Sequence, residues 1–120
     1  MGSVVSYMAY RARATRGRGS RIDPVVFQIV EALHFAGGAT HRQAVADYIA
    51  HVRAGRPAAA GRELQDEVYR ALAAHLAASA RRKAEPLVCL PLGEQSYRWA
   101  LTERGRAVFA ASAESFQVAN

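Results

Sequence analysis

Apolar residues follow two rhythms along this chain. From Asp23 to Lys83 they recur at intervals of three and four, the spacing of one helix face, and from Leu87 to Leu101 they read as two short strands. The first helix opens on Asp23, a good N-cap, with Pro24 at the first helical position. Its stripe is Val26, Ile29, Val30 and Leu33, and Gly37 and Gly38 stop it. A second helix is expected from Thr40, where Thr40-His41-Arg42-Gln43 matches a capping box. Val45, Tyr48, Ile49 and Val52 form its inward stripe, and it ends near Arg53. Ala54–Gly61 is a loop, longer than a tight helix-turn-helix needs.

The third helix, Arg62–Lys83, is the longest expected element. Leu64, Val68, Leu72, His75, Leu76 and Ser79 trace its inner stripe. Its outward face carries Arg62, Gln65, Asp66, Tyr69, Arg70 and Ala73. Glu63, Asp66 and Glu67 at its start and Arg81, Arg82 and Lys83 at its end complement the helix dipole. Pro86 ends the helix and admits a hairpin of Leu87–Pro91 and Ser96–Leu101. The link Leu92-Gly93-Glu94-Gln95 supplies the glycine that a turn with positive φ requires. In the second strand Tyr97, Trp99 and Leu101 are expected to share one face. A hairpin this small has no stability alone, so it must lie on the helices.

Thr102 is a natural N-cap for a last helix with Ala107, Val108 and Ala111 on its apolar side and Phe109 nearby. Gly105 in its first turn costs about 1 kcal/mol against alanine, which predicts close approach of another backbone. The chain therefore divides into an arm over 1–22, one folded unit over 23–112, and a weakly patterned tail over 113–120. The fold class is mainly α with a small β-hairpin, in the order α-α-α-β-β-α.

Charge changes this picture more than composition does. Lys and Arg number 16, of which 15 are arginine, against 10 acidic residues among 120. Arg11, Arg13, Arg16, Arg18 and Arg21 fall in an arm with no acid, which leaves 11 basic and 10 acidic residues in 23–120. An arm of this sign, with Gly17 and Gly19 between its arginines, suits a polyanion. No apolar run is long enough for a membrane span, and Val4 and Val5 precede the arginines, the wrong order for a secretory signal. The single Cys89 excludes an intrachain disulfide and reads as a small core residue of a reducing interior.

Catalysis is hard to build here. His34, His41, His51 and His75 are spread over three helices without a compact metal spacing, and no Gly-x-Ser-x-Gly elbow occurs. Gly17-Arg18-Gly19 lacks the strand-to-helix setting of a phosphate loop. The expectation is a non-enzyme with no metal and no cofactor.

Three helices, a hairpin and a basic excess resemble the winged helix-turn-helix superfamily over about Asp23–Ala111. The most specific stretch is Trp99-Ala100-Leu101-Thr102-Glu103-Arg104-Gly105-Arg106. It is similar to the leucine-threonine-x-x-glycine-arginine segment that leaves the wing in MarR-like, PadR-like and restriction-associated winged-helix domains. The resemblance implies that the third helix is the recognition helix, that the Gly93 turn is the wing tip, and that the terminal helix often dimerises. Two features depart from it: Glu63, Asp66 and Glu67 lie where a recognition helix meets DNA, and the wing tip carries Glu94 and Gln95.

The resulting expectation is a DNA-binding transcriptional regulator of bacterial or phage type, cytoplasmic and nucleoid-associated, acting on double-stranded DNA as a homodimer. Arg62, Gln65, Tyr69 and Arg70 approach base edges or phosphates. Thr40, His41 and Arg42 hold the backbone at a helix N-terminus. Arg98 touches a phosphate beside the wing, and Arg11, Arg13, Arg16, Arg18 and Arg21 follow a minor groove. The alternative is a winged-helix module that binds a protein and has little or no sequence-specific DNA binding. Its motives are the acidic start of the third helix, the alanine face Ala71, Ala74, Ala77 and Ala78, and the tail residues Phe116 and Val118. A membrane role for the arm is not expected, because no strong apolar helix face accompanies its arginines.

Overall fold

A computed structural model describes residues 22–119, with side chains described through Ala113. It is mainly helical, with a small antiparallel sheet: α1 Pro24–Ala36, β1 Thr40–His41, α2 Arg42–Ala54, α3 Arg62–Arg82, β2 Val88–Cys89, a 3-10 turn Glu94–Ser96, β3 Arg98–Leu101 and α4 Glu103–Ala119. The arginines of the expected arm, Arg11 to Arg21, lie outside the described residues.

Helix α1 is the centre. Its start follows the expected chemistry, with the Asp23 carboxylate accepting from the Val25 amide at 2.7 Å ahead of Pro24. Gly37, at φ 80, ends it in the left-handed conformation that glycine tolerates. Every residue from Val26 to Leu33 is buried, including Gln28 and Glu31. This is more than the single stripe expected. α2, α3 and α4 all pack on α1, so it has little face left for water. Around it Val45, Ala46, Ile49, Val68, Leu72, Leu87, Val88, Trp99 and Phe109 close one core. Each large aliphatic chain buried here is worth about 1.5–3 kcal/mol relative to exposure.

The start of α2 differs from expectation. Thr40 does not cap it, and no capping box forms. Thr40 and His41 instead make a short strand, β1, opposite Trp99 and Arg98 of β3. The cap is His41, whose Nδ1 accepts from the Gln43 amide at 3.0 Å. The Thr40 hydroxyl donates to the Gly38 carbonyl, and Gln43 turns its amide to Asp47. Strand pairing won over the box because β3 would otherwise present an unpaired edge.

The sheet order is β1-β3-β2, with β3 in the middle. β2 and β3 pair as Val88 with Leu101 and Cys89 with Ala100. Both strands are shorter than expected, and the link between them is longer, running through the 3-10 turn. The strict alternation expected for Tyr97, Trp99 and Leu101 fails at its first member. Trp99 is buried, but Tyr97 is 45% exposed and sits at φ 58. Gly93, at φ 90, does take the positive φ expected of it. Cys89 is half-buried.

Helix α3 matches its expected span to within one residue at its end. In α4 the apolar side is centred on Phe109, which is buried, with Val108 half-buried and Ala107 exposed. That shifts the expected face by about one position. The helix continues through Ala119, past the expected tail boundary at Ser112.

Candidate nucleic-acid interface

The β2–β3 hairpin, the N-terminus of α2 and α3 meet at one arginine. The Arg42 guanidinium lies 4.1 Å from the ring centroid of Tyr69 and 4.1 Å from that of Tyr97. Each ring offers its negative face to the cation, an attraction of about 0.5–2 kcal/mol depending on desolvation. The backbone joins in: the Arg42 amide donates to the Tyr97 carbonyl at 2.8 Å. Tyr69 stands edge-on to Trp99 at 5.9 Å, and His41 lies 6.2 Å from Tyr97. An α3 residue, an α2 residue and a hairpin residue thus form one aromatic and cationic block.

The expected contacts divide into two groups. Arg62, Arg70 and Arg98 are exposed and display their charge to solvent. Thr40, His41, Arg42, Gln65 and Tyr69 already hold structural positions. Gln65, expected to face outward, donates from its side chain to the Ala60 carbonyl at 2.9 Å. Tyr69, also expected outward, is half-buried under Arg42. Arg11, Arg13, Arg16, Arg18 and Arg21 lie outside the described residues.

The loop between α2 and α3 is held from both sides. Asp47 accepts from the Ala60 amide at 2.8 Å and from the Gln43 side chain at 3.1 Å. Ala60 itself is 8% exposed, so this part of the loop belongs to the core. These bonds fix the start of α3 relative to α2. They make the long loop compatible with a defined angle between the two helices.

Of the three acids at the start of α3, Glu67 is paired with Arg53 at 3.3 Å. Arg53 also donates to the Gln28 side chain at 2.9 Å. An exposed pair of this kind adds little stability, but it offsets one negative charge beside the candidate surface. Glu63 and Asp66 are exposed.

The Trp99–Arg106 segment does different work. Thr102 accepts from the Gly105 amide at 3.0 Å and donates to the Pro86 carbonyl at 2.5 Å. Its own amide donates to the Leu87 carbonyl at 3.1 Å. A Cβ on Gly105 would stand 2.1 Å from that same carbonyl oxygen, which is the close backbone approach the sequence predicts. Arg104 donates to the Glu85 carbonyl at 2.6 Å and Arg106 to the Leu101 carbonyl at 3.3 Å. The segment is a seam between α4 and the chain entering β2.

His75 completes that seam, a role the sequence does not reveal. Its Nε2 accepts from the Leu87 amide at 2.9 Å. Burial, with the nearby Arg104 and Arg82 charges adding to it, holds its pKa below the ordinary imidazole value. The sequence also gave no sign of Tyr97 as a stacking partner. The available hint was an aromatic residue directly before Arg98 in the hairpin.

Among the described residues no three His, Cys, Asp or Glu side chains gather as metal ligands, and no helix is long and apolar enough to cross a membrane. Comparison of the chain with protein-family models, with curated proteins and with solved structures gives no match.

Proposed function

We propose that the protein is a winged-helix DNA-binding regulator whose wing, α2 N-terminus and α3 meet duplex DNA together. The observation that carries this reading is the Arg42 stack between Tyr69 and Tyr97. It joins the three elements that such a fold would present to DNA, with exposed Arg62, Arg70 and Arg98 displayed on those same α3 and wing elements. The helix order and the three-stranded sheet are compatible with the fold. The five arginines of the first 22 residues add a flanking cationic segment.

In this reading Arg62, Arg70, Arg98 and the arm contact phosphates, which supplies most of the affinity and makes it sensitive to salt. Arg42, Gln65 and Tyr69 hold α3 and the wing in register. Fluorescence anisotropy on random and genomic duplexes tests the proposal. With about six phosphate contacts, raising salt from about 50 to 200 mM weakens binding roughly 10³-fold. Absence of binding at low salt defeats the reading.

A second reading, the same fold as a protein-interaction module, draws on a different surface. Phe35 is 60% exposed at the end of α1, beside His34, Tyr48 and Phe109 at ring distances of 5.0, 6.2 and 5.9 Å. Sedimentation of the full chain, with and without DNA, separates the two. A stoichiometric protein complex, with DNA affinity that disappears when residues 1–22 are removed, favours the module. Homodimers that bind duplex favour the regulator.

A further inference from the structure

A cavity lies away from the Arg42 stack, between the end of α3 and the start of α4. Its volume is about 250 Å³, and its walls are Ile22, His75, Ser79, Arg82, Ala84, Leu87 and Arg104. An apolar cavity of about 150 Å³ already admits a six-membered ring, so this one has room for a small organic molecule. Two of its seven wall residues are arginines, and among the described residues no carboxylate side chain lines it. Glu85 and Glu103 flank the wall residues in sequence without entering the wall.

The donors are arranged rather than loose. Arg104 is tied through one nitrogen to the Glu85 carbonyl at 2.6 Å, which fixes the guanidinium and leaves further N–H groups to donate. His75 accepts at Nε2 from the Leu87 amide, so in the neutral ring the proton sits on Nδ1, a second donor type. Ser79 is 4% exposed and adds a hydroxyl to the wall. Ile22, Ala84 and Leu87 supply an apolar side. Planar guanidinium groups suit the paired oxygens of carboxylates and phosphates. The closeness of both arginines is also felt at His75, whose protonation they disfavour.

We propose that this cavity binds a small organic oxyanion, with Arg82 and Arg104 on its oxygens and Ile22, Ala84 and Leu87 against its apolar body. The ligand bridges the last turn of α3 to the first turn of α4, across the Leu87 seam. This site is independent of the DNA reading and stands or falls without it.

Calorimetric titration of the full chain tests the site, with benzoate, phenyl phosphate and inorganic phosphate as probes at constant ionic strength in chloride. The expected result is saturable 1:1 binding of an organic probe, tighter than inorganic phosphate. The tighter of benzoate and phenyl phosphate identifies the head group. Arg82→Gln, at an exposed position, weakens it by about tenfold, the loss of one charged hydrogen bond. Adding Arg104→Gln removes saturable binding, while Arg81→Gln, outside the cavity, leaves it unchanged. Three results overturn the proposal: no saturable binding of any probe, equal binding by the Arg82 and Arg104 variants, or an equal loss in the Arg81 variant. Thermal melts of each variant confirm folding, and the surface substitution Arg82→Gln keeps the test decisive if Arg104→Gln destabilises the chain.

Discussion

Two arginine-containing junctions sit on either side of β3, and they are built on opposite principles. At the seam, Thr102, Gly105, His75 and the Pro86–Leu87 backbone bind one another with hydrogen bonds, and Gly105 has no room for a Cβ against the Leu87 carbonyl. At the hairpin, Arg42, Tyr69 and Tyr97 stack through faces, and Tyr97 stays 45% exposed. Backbone bonds and steric closure set geometry and tolerate almost no substitution. Stacked rings and exposed cations leave donors and surface for another molecule. The most recognisable stretch of the sequence therefore reports how the sheet is sealed, and the Arg42 stack carries a weaker pattern.

Substitutions should separate the two junctions, and the largest effect belongs to the seam. Gly105→Ala drives a methyl group into the Leu87 carbonyl, a backbone atom that cannot swing aside. The gain in helix propensity of about 1 kcal/mol is outweighed, and the expected net loss is about 3 kcal/mol in urea unfolding. A loss under about 1 kcal/mol would mean that the backbone approach is looser than described. Thr102→Val keeps the shape but strips the cap from Gly105 and the donor from Pro86. About 2 kcal/mol is expected in the same measurement.

The hairpin junction should respond the other way. Arg42→Gln removes the cation from both rings, with a stability change of about 1 kcal/mol or less. Anisotropy should nevertheless register several-fold weaker duplex binding, because α3 and the wing lose their common anchor. Arg98→Gln, at an exposed position, leaves stability unchanged and lowers the slope of log affinity against log salt by about one. If Arg98→Gln unfolded the chain while Gly105→Ala did not, the contrast between the junctions would be reversed.

The smallest effect is a pH dependence at the seam. The folded pKa of His75 lies below its ordinary value of 6.5, so the unfolded chain takes up the proton first as pH falls. His75 stabilises fully above about pH 6.5, and that stabilisation is lost as pH drops from there through the folded pKa. Protonation also ends the acceptance of the Leu87 amide at Nε2. The seam is partly open to solvent, which keeps the effect modest. Unfolding midpoints between about pH 8 and 5 should fall on the acid side, and the His75→Gln variant should lose part of that slope.

Elements governed by local chemistry were readable in the chain. Asp23 with Pro24, Gly37, the span of α3 and the need for glycine at position 105 all follow from caps, periodicity and propensity. What the sequence could not give depends on partners far along the chain. Thr40-x-x-Gln43 satisfies the local rule for a capping box, yet β3, nearly sixty residues on, claims Thr40 for a strand. Tyr97 reads as an inward residue of a regular strand until the 3-10 turn resets the alternation. Gln65 and Tyr69 occupy outward positions of α3, but Ala60 and Arg42 reach over to cover them. A site assembled from three elements has no spacing in the sequence by which to find it.

The sheet keeps its longest strand in the centre and gives both borders only two residues each, Thr40–His41 and Val88–Cys89. A border so brief offers a neighbouring chain almost no ladder to extend. Short borders of this kind are one way a small sheet limits edge-to-edge pairing between copies.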